Sequence, residues 1–91
     1  MSDEEIESIL KHLEESHQIS CDGLTLDLWR DFDSEETRLR KPGGHMVRVD
    51  EEGLYDFVNE QGGAITEERI KKLLCAIHSH PTSYPGVVVY D

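Results

Sequence analysis

Leu24-Thr25-Leu26-Asp27-Leu28-Trp29 reads LTLDLW, and its alternation of leucine with other residue types decides the fold class. A period of two places Leu24, Leu26 and Leu28 on one face of a strand and Thr25, Asp27 and Trp29 on the other. Asp22-Gly23, just before it, is a turn signal. The alternation loosens from Arg30 to Asp33. A second extended run follows at His45 to Val49, with Val47 and Val49 opposed to Met46 and Arg48. Between the two runs lies a polar stretch, Ser34 to Gly44, ending in Lys41-Pro42-Gly43-Gly44. The pair predicts an antiparallel hairpin whose tip, residues 34–44, is long and mobile.

On either side of this hairpin the period lengthens to that of a helix. Ile6, Ile9, Leu10 and Leu13 recur on one helical face, with Glu4, Glu7, Lys11 and Glu14 opposite. Ser2 and Glu5 form a capping box, and Met1 is placed to staple onto Ile6. This helix is expected to fade near Glu15 to His17. Downstream, Asp50 caps a short helix that carries Leu54, Phe57 and Val58 inward and stops at Gly62-Gly63. Thr66 caps a further helix with Ile70, Leu73, Leu74 and Ile77 as its buried stripe, ended by His80-Pro81. Val87-Val88-Val89-Tyr90 is an unbroken apolar run, the pattern of a strand that is covered on both faces or placed centrally. The expected order is α-β-β-α-α-β. It makes one α+β domain over residues 1–91, with a three-stranded sheet of the antiparallel hairpin plus the C-terminal strand and helices packed on one face.

Composition limits what such a domain does. The chain has 91 residues, 20 acidic and nine basic, for a formal charge of −11, and only 36% of its residues are apolar. A charge of that sign argues against naked nucleic acid or an anionic membrane as partner. No apolar run approaches the roughly 20 residues that span a bilayer. The start, MSDEEIES, is acidic where a secretory signal is basic and then apolar, so the expected location is cytoplasmic. Cys21 and Cys75 are too few for a disulfide framework and read as buried, reduced thiols, with a single bridge between them as the alternative.

The charge is unevenly spread. Residues 1–36 carry 12 acids against Lys11 and Arg30, residues 37–49 carry Arg38, Arg40, Lys41 and Arg48 with no acid, and residues 50–60 add five more acids. Asp27, Asp31, Asp33, Glu35 and Glu36 could therefore form a carboxylate surface that imitates a phosphate backbone, with Trp29 as an aromatic anchor among them. Arg38, Arg40 and Lys41 form a secondary, basic contact. The plain alternative is a solvated surface that keeps a small protein soluble, or an adaptation to salt.

Two other readings use different residues. His17, Cys21, Cys75, His78 and His80 are the candidate ligands for a structural zinc ion, at a spacing unlike that of a finger or knuckle, so no cofactor is expected. The helices between Asp50 and His78 also suggest a helix-turn-helix that would turn Glu67, Arg69, Lys71 and Lys72 toward DNA, against the repulsion of the surrounding acids. No nucleophile elbow, P-loop, dinucleotide fingerprint or zincin motif stands in the chain, and an enzyme is not expected. The leading expectation is a small, acidic, non-catalytic inhibitor or regulator. Its partner would be a basic protein surface such as that of a nucleic-acid-processing enzyme or a toxin, the physics that immunity proteins and virus-encoded anti-defence inhibitors use.

Overall fold

The structure, a computed structural model, describes residues 2–84 and 86–90. Helix α1 (Ser2–Ser16) leads into four strands, β1 (Gln18–Cys21), β2 (Leu24–Asp31), β3 (Glu36–Arg40) and β4 (Met46–Asp50). Helices α2 (Glu51–Gln61) and α3 (Glu67–Ser79), a 3-10 turn (Pro81–Ser83) and strand β5 (Val87–Tyr90) complete it. The sheet is a five-stranded antiparallel meander in the order β1-β2-β3-β4-β5. The chain is thus α+β in the order α-β-β-β-β-α-α-β. That corrects the expected three-stranded sheet and the expected order α-β-β-α-α-β.

Both added strands have local causes. Asp22 and Gly23 are a two-residue loop with φ of 47° and 86°, and Cys21 faces Leu24 across it. Positive φ at both central positions matches the twist of a tight hairpin, so the turn has a strand before it as well as after. β3 (Glu36–Arg40) lies inside the segment, residues 34–44, expected to be a hairpin tip. Thr37 and Leu39 point to the core while Glu36, Arg38 and Arg40 point away, and only Leu39 announces itself by hydropathy.

One apolar cluster joins the layers. Ile6, Leu10 and Leu13 of α1, Leu54 and Val58 of α2, and Ile70, Leu74 and Ile77 of α3 pack on Ile19, Leu26, Leu28, Leu39, Val47 and Val49 of the sheet. Fully burying side chains of this kind stabilises by about 1.5–3 kcal/mol each, before entropy is set against it. The helix caps are local. The Gly53 amide donates to the Asp50 carboxylate at 3.4 Å, and the Arg69 amide donates to the Thr66 hydroxyl at 3.2 Å. The expected cap and staple of α1 rest on Met1 and on the Ser2 side chain, which lie outside the described residues. β5 departs from its reading: it is an edge strand, with Val88, Val89 and Tyr90 exposed. Gly86 leads into it at φ 72°, and its carbonyl accepts from the Asp50 amide at 3.0 Å. A Cβ there would lie 3.1 Å from that of Asp50, so glycine is required both by conformation and by space.

Cys21 and Cys75 are joined in a disulfide, with Cα atoms 5.7 Å apart, which corrects their reading as reduced thiols. The bridge ties the edge strand β1 to α3 across 54 residues of chain. No helix among the described residues is long and apolar enough to cross a membrane.

Candidate functional site

The sheet has one face under the helices and one face open. In-register rows set the residues of the open face: Gln18, Asp27, Arg40, Met46 and Tyr90 form one, and Trp29, Arg38, Arg48 and Val88 the next. Asp31, Glu36 and Asp50 form the last row, at the end of the sheet where β2 turns into β3. Six of the sequence candidates, Asp27, Trp29, Asp31, Glu36, Arg38 and Arg40, therefore share one surface. Asp33 and Glu35 lie in the β2–β3 turn, and Lys41 lies in the β3–β4 turn at the other end.

This face is largely self-neutralised. Arg38 Nη2 donates to Asp31 Oδ2 at 2.7 Å, Arg48 Nη1 lies 3.3 Å from Glu36 Oε2, and Arg40 Nη2 lies 3.7 Å from Asp27 Oδ2. The Ser34 hydroxyl and amide, with Arg38 nearby, hold the Asp31 carboxyl below the usual carboxylate range. Trp29 is half-buried, its ring beneath the Arg40 guanidinium at 5.7 Å, and Arg48 stacks on Tyr90 at 4.1 Å. The arginines of the expected basic loop are thus strand residues interleaved with acids. Trp29, expected as an exposed anchor, lies beneath one of them.

A different concavity carries the uncompensated charge. At the acidic end of the sheet, Glu7 of α1, Phe32 and Glu35 of the β2–β3 turn, and Glu52 and Tyr55 of α2 line a groove of about 350 Å³ over Arg30 and Glu51. Its floor is a buried ion pair. Arg30 Nε and Nη2 donate to the two Glu51 oxygens at 2.8 and 2.6 Å, and the Thr37 hydroxyl donates to Glu51 Oε2 at 2.7 Å. Tyr55 OH adds a donation at 3.3 Å. Burial pushes the Glu51 carboxyl up, but the hydrogen bonds from Arg30 and Thr37 outweigh it and hold the group below its ordinary range. Donating to Glu51 likewise raises Arg30. Burial, followed by the Glu51 charge, pushes the Tyr55 phenol up to about 12. Glu51 thus serves Arg30 through two of its nitrogens, with Glu7 Oε1 a further 4.0 Å from Nη2 and Nη1 buried without a hydrogen-bond partner among the described residues, while Glu35 and Glu52 face the groove with their charge open to solvent.

Phe32 stands at the lip of this groove, 61% exposed, with the Arg30 guanidinium 5.0 Å from its ring centre. Sequence reasoning missed Phe32, Glu7 and Glu52. The available signal was Phe32 itself, an aromatic between Asp31 and Asp33 at the point where the strand alternation breaks down.

No protein-family model, curated protein or solved structure matches this chain. The reading of its function therefore rests on geometry.

The residues of the two other readings are placed as follows. The five candidate zinc ligands do not form one cluster among the described residues. Cys21 and Cys75 are bonded to each other and line a second, larger groove of about 640 Å³ with Lys71, Lys72 and His80. His78 is buried and stacks on His45, ring centres 5.2 Å apart, while His17 sits in the α1–β1 turn at φ 58°. In the helix pair, Arg69 Nη1 turns back to donate to the Ala64 carbonyl at 3.1 Å, and Glu67 lies 3.3 Å from His12 of α1.

Proposed function

We propose that this chain is a small, acidic, non-catalytic interaction module that inhibits or regulates a partner by occupying a basic protein surface, of the kind that nucleic-acid-processing enzymes and toxins present. The observation that carries the reading is the groove at the β2–β3 end. Glu7, Glu35 and Glu52, from three separate elements, surround a floor in which Arg30 and Glu51 form a bidentate ion pair, and an exposed phenylalanine stands at its lip. A lysine or arginine side chain entering there meets carboxylates at its head and the Phe32 ring along its apolar stem. Asp33 and Glu35 of the adjoining turn extend the field and steer encounter, whereas the buried aromatic contact supplies affinity. The open sheet face contributes less to this partner, because its carboxylates are already engaged by arginines.

The test is a pull-down from native host lysate at low salt, eluted by a salt gradient, with the wild-type chain, Phe32→Ala and Glu35→Lys/Glu52→Lys as parallel baits. The expected result is one basic protein that elutes late from wild type and earlier from both variants. Phe32→Ala should weaken binding to that protein about tenfold, the scale of an interface anchor. The charge reversals should slow association and flatten its salt dependence. A diffuse set of basic proteins eluting early, or identical retention by all three baits, would make the acidity a solubility device only.

A further inference from the structure

The disulfide stands apart from the groove around Phe32, with which its surroundings share no residue. Cys21 and Cys75 are both half-buried, and both line the groove of about 640 Å³ between the β1–β2 hairpin and α3. They pack on the rim of the apolar cluster and not within it. β1 is an edge strand that pairs only with β2, and Ile19 is its one side chain in the buried cluster. The bridge is therefore a covalent tie between an edge strand and a helix, set where a small molecule reaches its sulfurs. Exchange with an external thiol requires that access, and accessible disulfides are the labile ones. The chain has two cysteines, so no third thiol diverts the exchange.

We propose that Cys21–Cys75 is a thiol–disulfide exchange site for low-molecular-weight thiols, attacked at Cys21 and left by Cys75, and that it latches the β1 edge reversibly onto α3. The direction follows from the neighbouring charges. Lys71 and Lys72 stand four and three residues before Cys75, on its face of α3, and line the same groove. Their ammonium groups favour a thiolate at Cys75, whereas Asp22, next to Cys21 in the chain, disfavours one there. Glu68 lies two turns before Cys75, further off than either lysine, and His80 adds positive charge only when protonated. The sulfur that better holds negative charge leaves faster. An incoming thiolate bonds to Cys21 Sγ as the Cys21–Cys75 bond breaks, and Cys75 takes the electron pair and then a proton from water. A second thiolate attacks the small molecule's sulfur in the mixed disulfide and releases Cys21. Two small thiols are oxidised to their disulfide, two cysteines are reduced, and the reverse sequence closes the latch. Opening it frees β1 from α3 while the ladder to β2 and the burial of Ile19 remain.

The experiment treats the whole chain with 2-mercaptoethanol, with acid quenching, labelling of free thiols and mass spectrometry, in a series of urea concentrations below the unfolding transition. Expected is reduction at a rate proportional to the thiol and unchanged by urea, because the folded chain itself is attacked. The trapped adduct should map to Cys21 over Cys75 by about threefold or more, and Lys71→Gln/Lys72→Gln should slow reduction and shrink that preference. The reduced chain should keep the wild-type circular dichroism, with faster hydrogen exchange confined to residues 18–21 and the last turn of α3, and 2-hydroxyethyl disulfide should reverse the change. Reduction that accelerates with urea as global unfolding does overturns the proposal, as does a reduced chain that unfolds, since the bridge is then a structural staple. An adduct found equally on both cysteines or mainly on Cys75, or no effect of the lysine substitutions, overturns the assigned direction. If the double variant fails to fold, the urea series and the adduct map of the wild type decide alone.

Discussion

On the helix-covered side of the sheet the side chains of Arg30 and Glu51 are 4% and 7% exposed, whereas on the open face those of Arg38 and Asp31 are 25% and 31% exposed. Both pairs have a shortest distance near 2.7 Å, at 2.6 and 2.7 Å. Distance therefore does not separate them; the surrounding solvent does. A buried carboxylate that loses its partner is left with an unpaid desolvation cost, while an exposed one is taken back by water. The Arg30–Glu51 pair sits in a network with Thr37 and Tyr55 that joins three elements, β2, β3 and α2, and the Glu51 amide also donates to the Glu35 carbonyl at 3.1 Å. The open-face pairs link neighbouring strands already held by their ladder. The covered pair fixes the floor of the acidic groove, and the open pairs set the sign of a surface.

The largest effect expected from this contrast is that of Glu51→Ala. Removing the carboxylate leaves the Arg30 guanidinium buried without its bidentate partner and the Thr37 hydroxyl without an acceptor, at a cost of about 3–5 kcal/mol. Urea unfolding should show a large fall in midpoint, with a loss of Tyr55 and Phe32 order at the groove. The titration has a definite sign. The folded Glu51 carboxyl lies below its ordinary value, so its contribution is present above about pH 4.5 and is lost as the pH falls through the folded value. In Glu51→Gln that part of the acid-induced loss should disappear. A Glu51→Ala protein as stable as wild type would show that the pair is no more than a surface contact and would remove the contrast between the two faces.

The same contrast explains which parts of the fold are legible in sequence. β2 and β4 declare themselves because their inward positions, Leu26, Leu28, Val47 and Val49, are apolar. β3 does not, because one of its two inward positions is Thr37, made acceptable in the core by a carboxylate 14 residues further on. β1 offers only Ile19 and Cys21 inward, and its strand character follows from the hairpin geometry of Asp22-Gly23 more than from its own pattern. The helices were legible from their periodicity and, for α2 and α3, from the caps Asp50 and Thr66, which are local. In the candidate site, the turn acids could be read from charge alone. Their separation into engaged and open carboxylates could not, since it depends on cross-strand pairing of Asp31 with Arg38 and of Glu36 with Arg48. β5 misled because an apolar run reports a need for cover, not the place where cover is found.

A second, smaller effect belongs to the covered side near the opposite end of the sheet. His78 is buried against His45, and its Nε2 has no hydrogen-bond partner among the described residues. Burial, with the neighbouring charges of His45 and Lys41, lowers its pKa from the ordinary 6.5. The unfolded chain then binds the proton more readily than the folded one. Stability from this group is present above about pH 6.5 and falls as the pH drops from there toward the folded value. The melting temperature should decline across that window in wild type and decline less in His78→Phe, which keeps a stacked ring without a titrating nitrogen. Equal slopes in both proteins would assign the decline to the surface carboxylates.

The smallest effect should come from the open face, and it is the sharpest test of whether exposure separates the two pairs. Arg38→Gln removes the cation that engages Asp31 at 2.7 Å, but leaves both residues in contact with water and the β2–β3 ladder intact. The expected change in unfolding free energy is below about 1 kcal/mol and should shrink further in high salt. Its effect on recognition has the opposite sense: freeing Asp31 adds an open carboxylate beside Asp33 and Glu35, and association with a basic partner should become faster and more salt-dependent. Comparing the two substitutions in one salt series separates the physics of the faces. A loss for Arg38→Gln that equals that of Glu51→Ala and persists in high salt would mean that the open face is covered in solution.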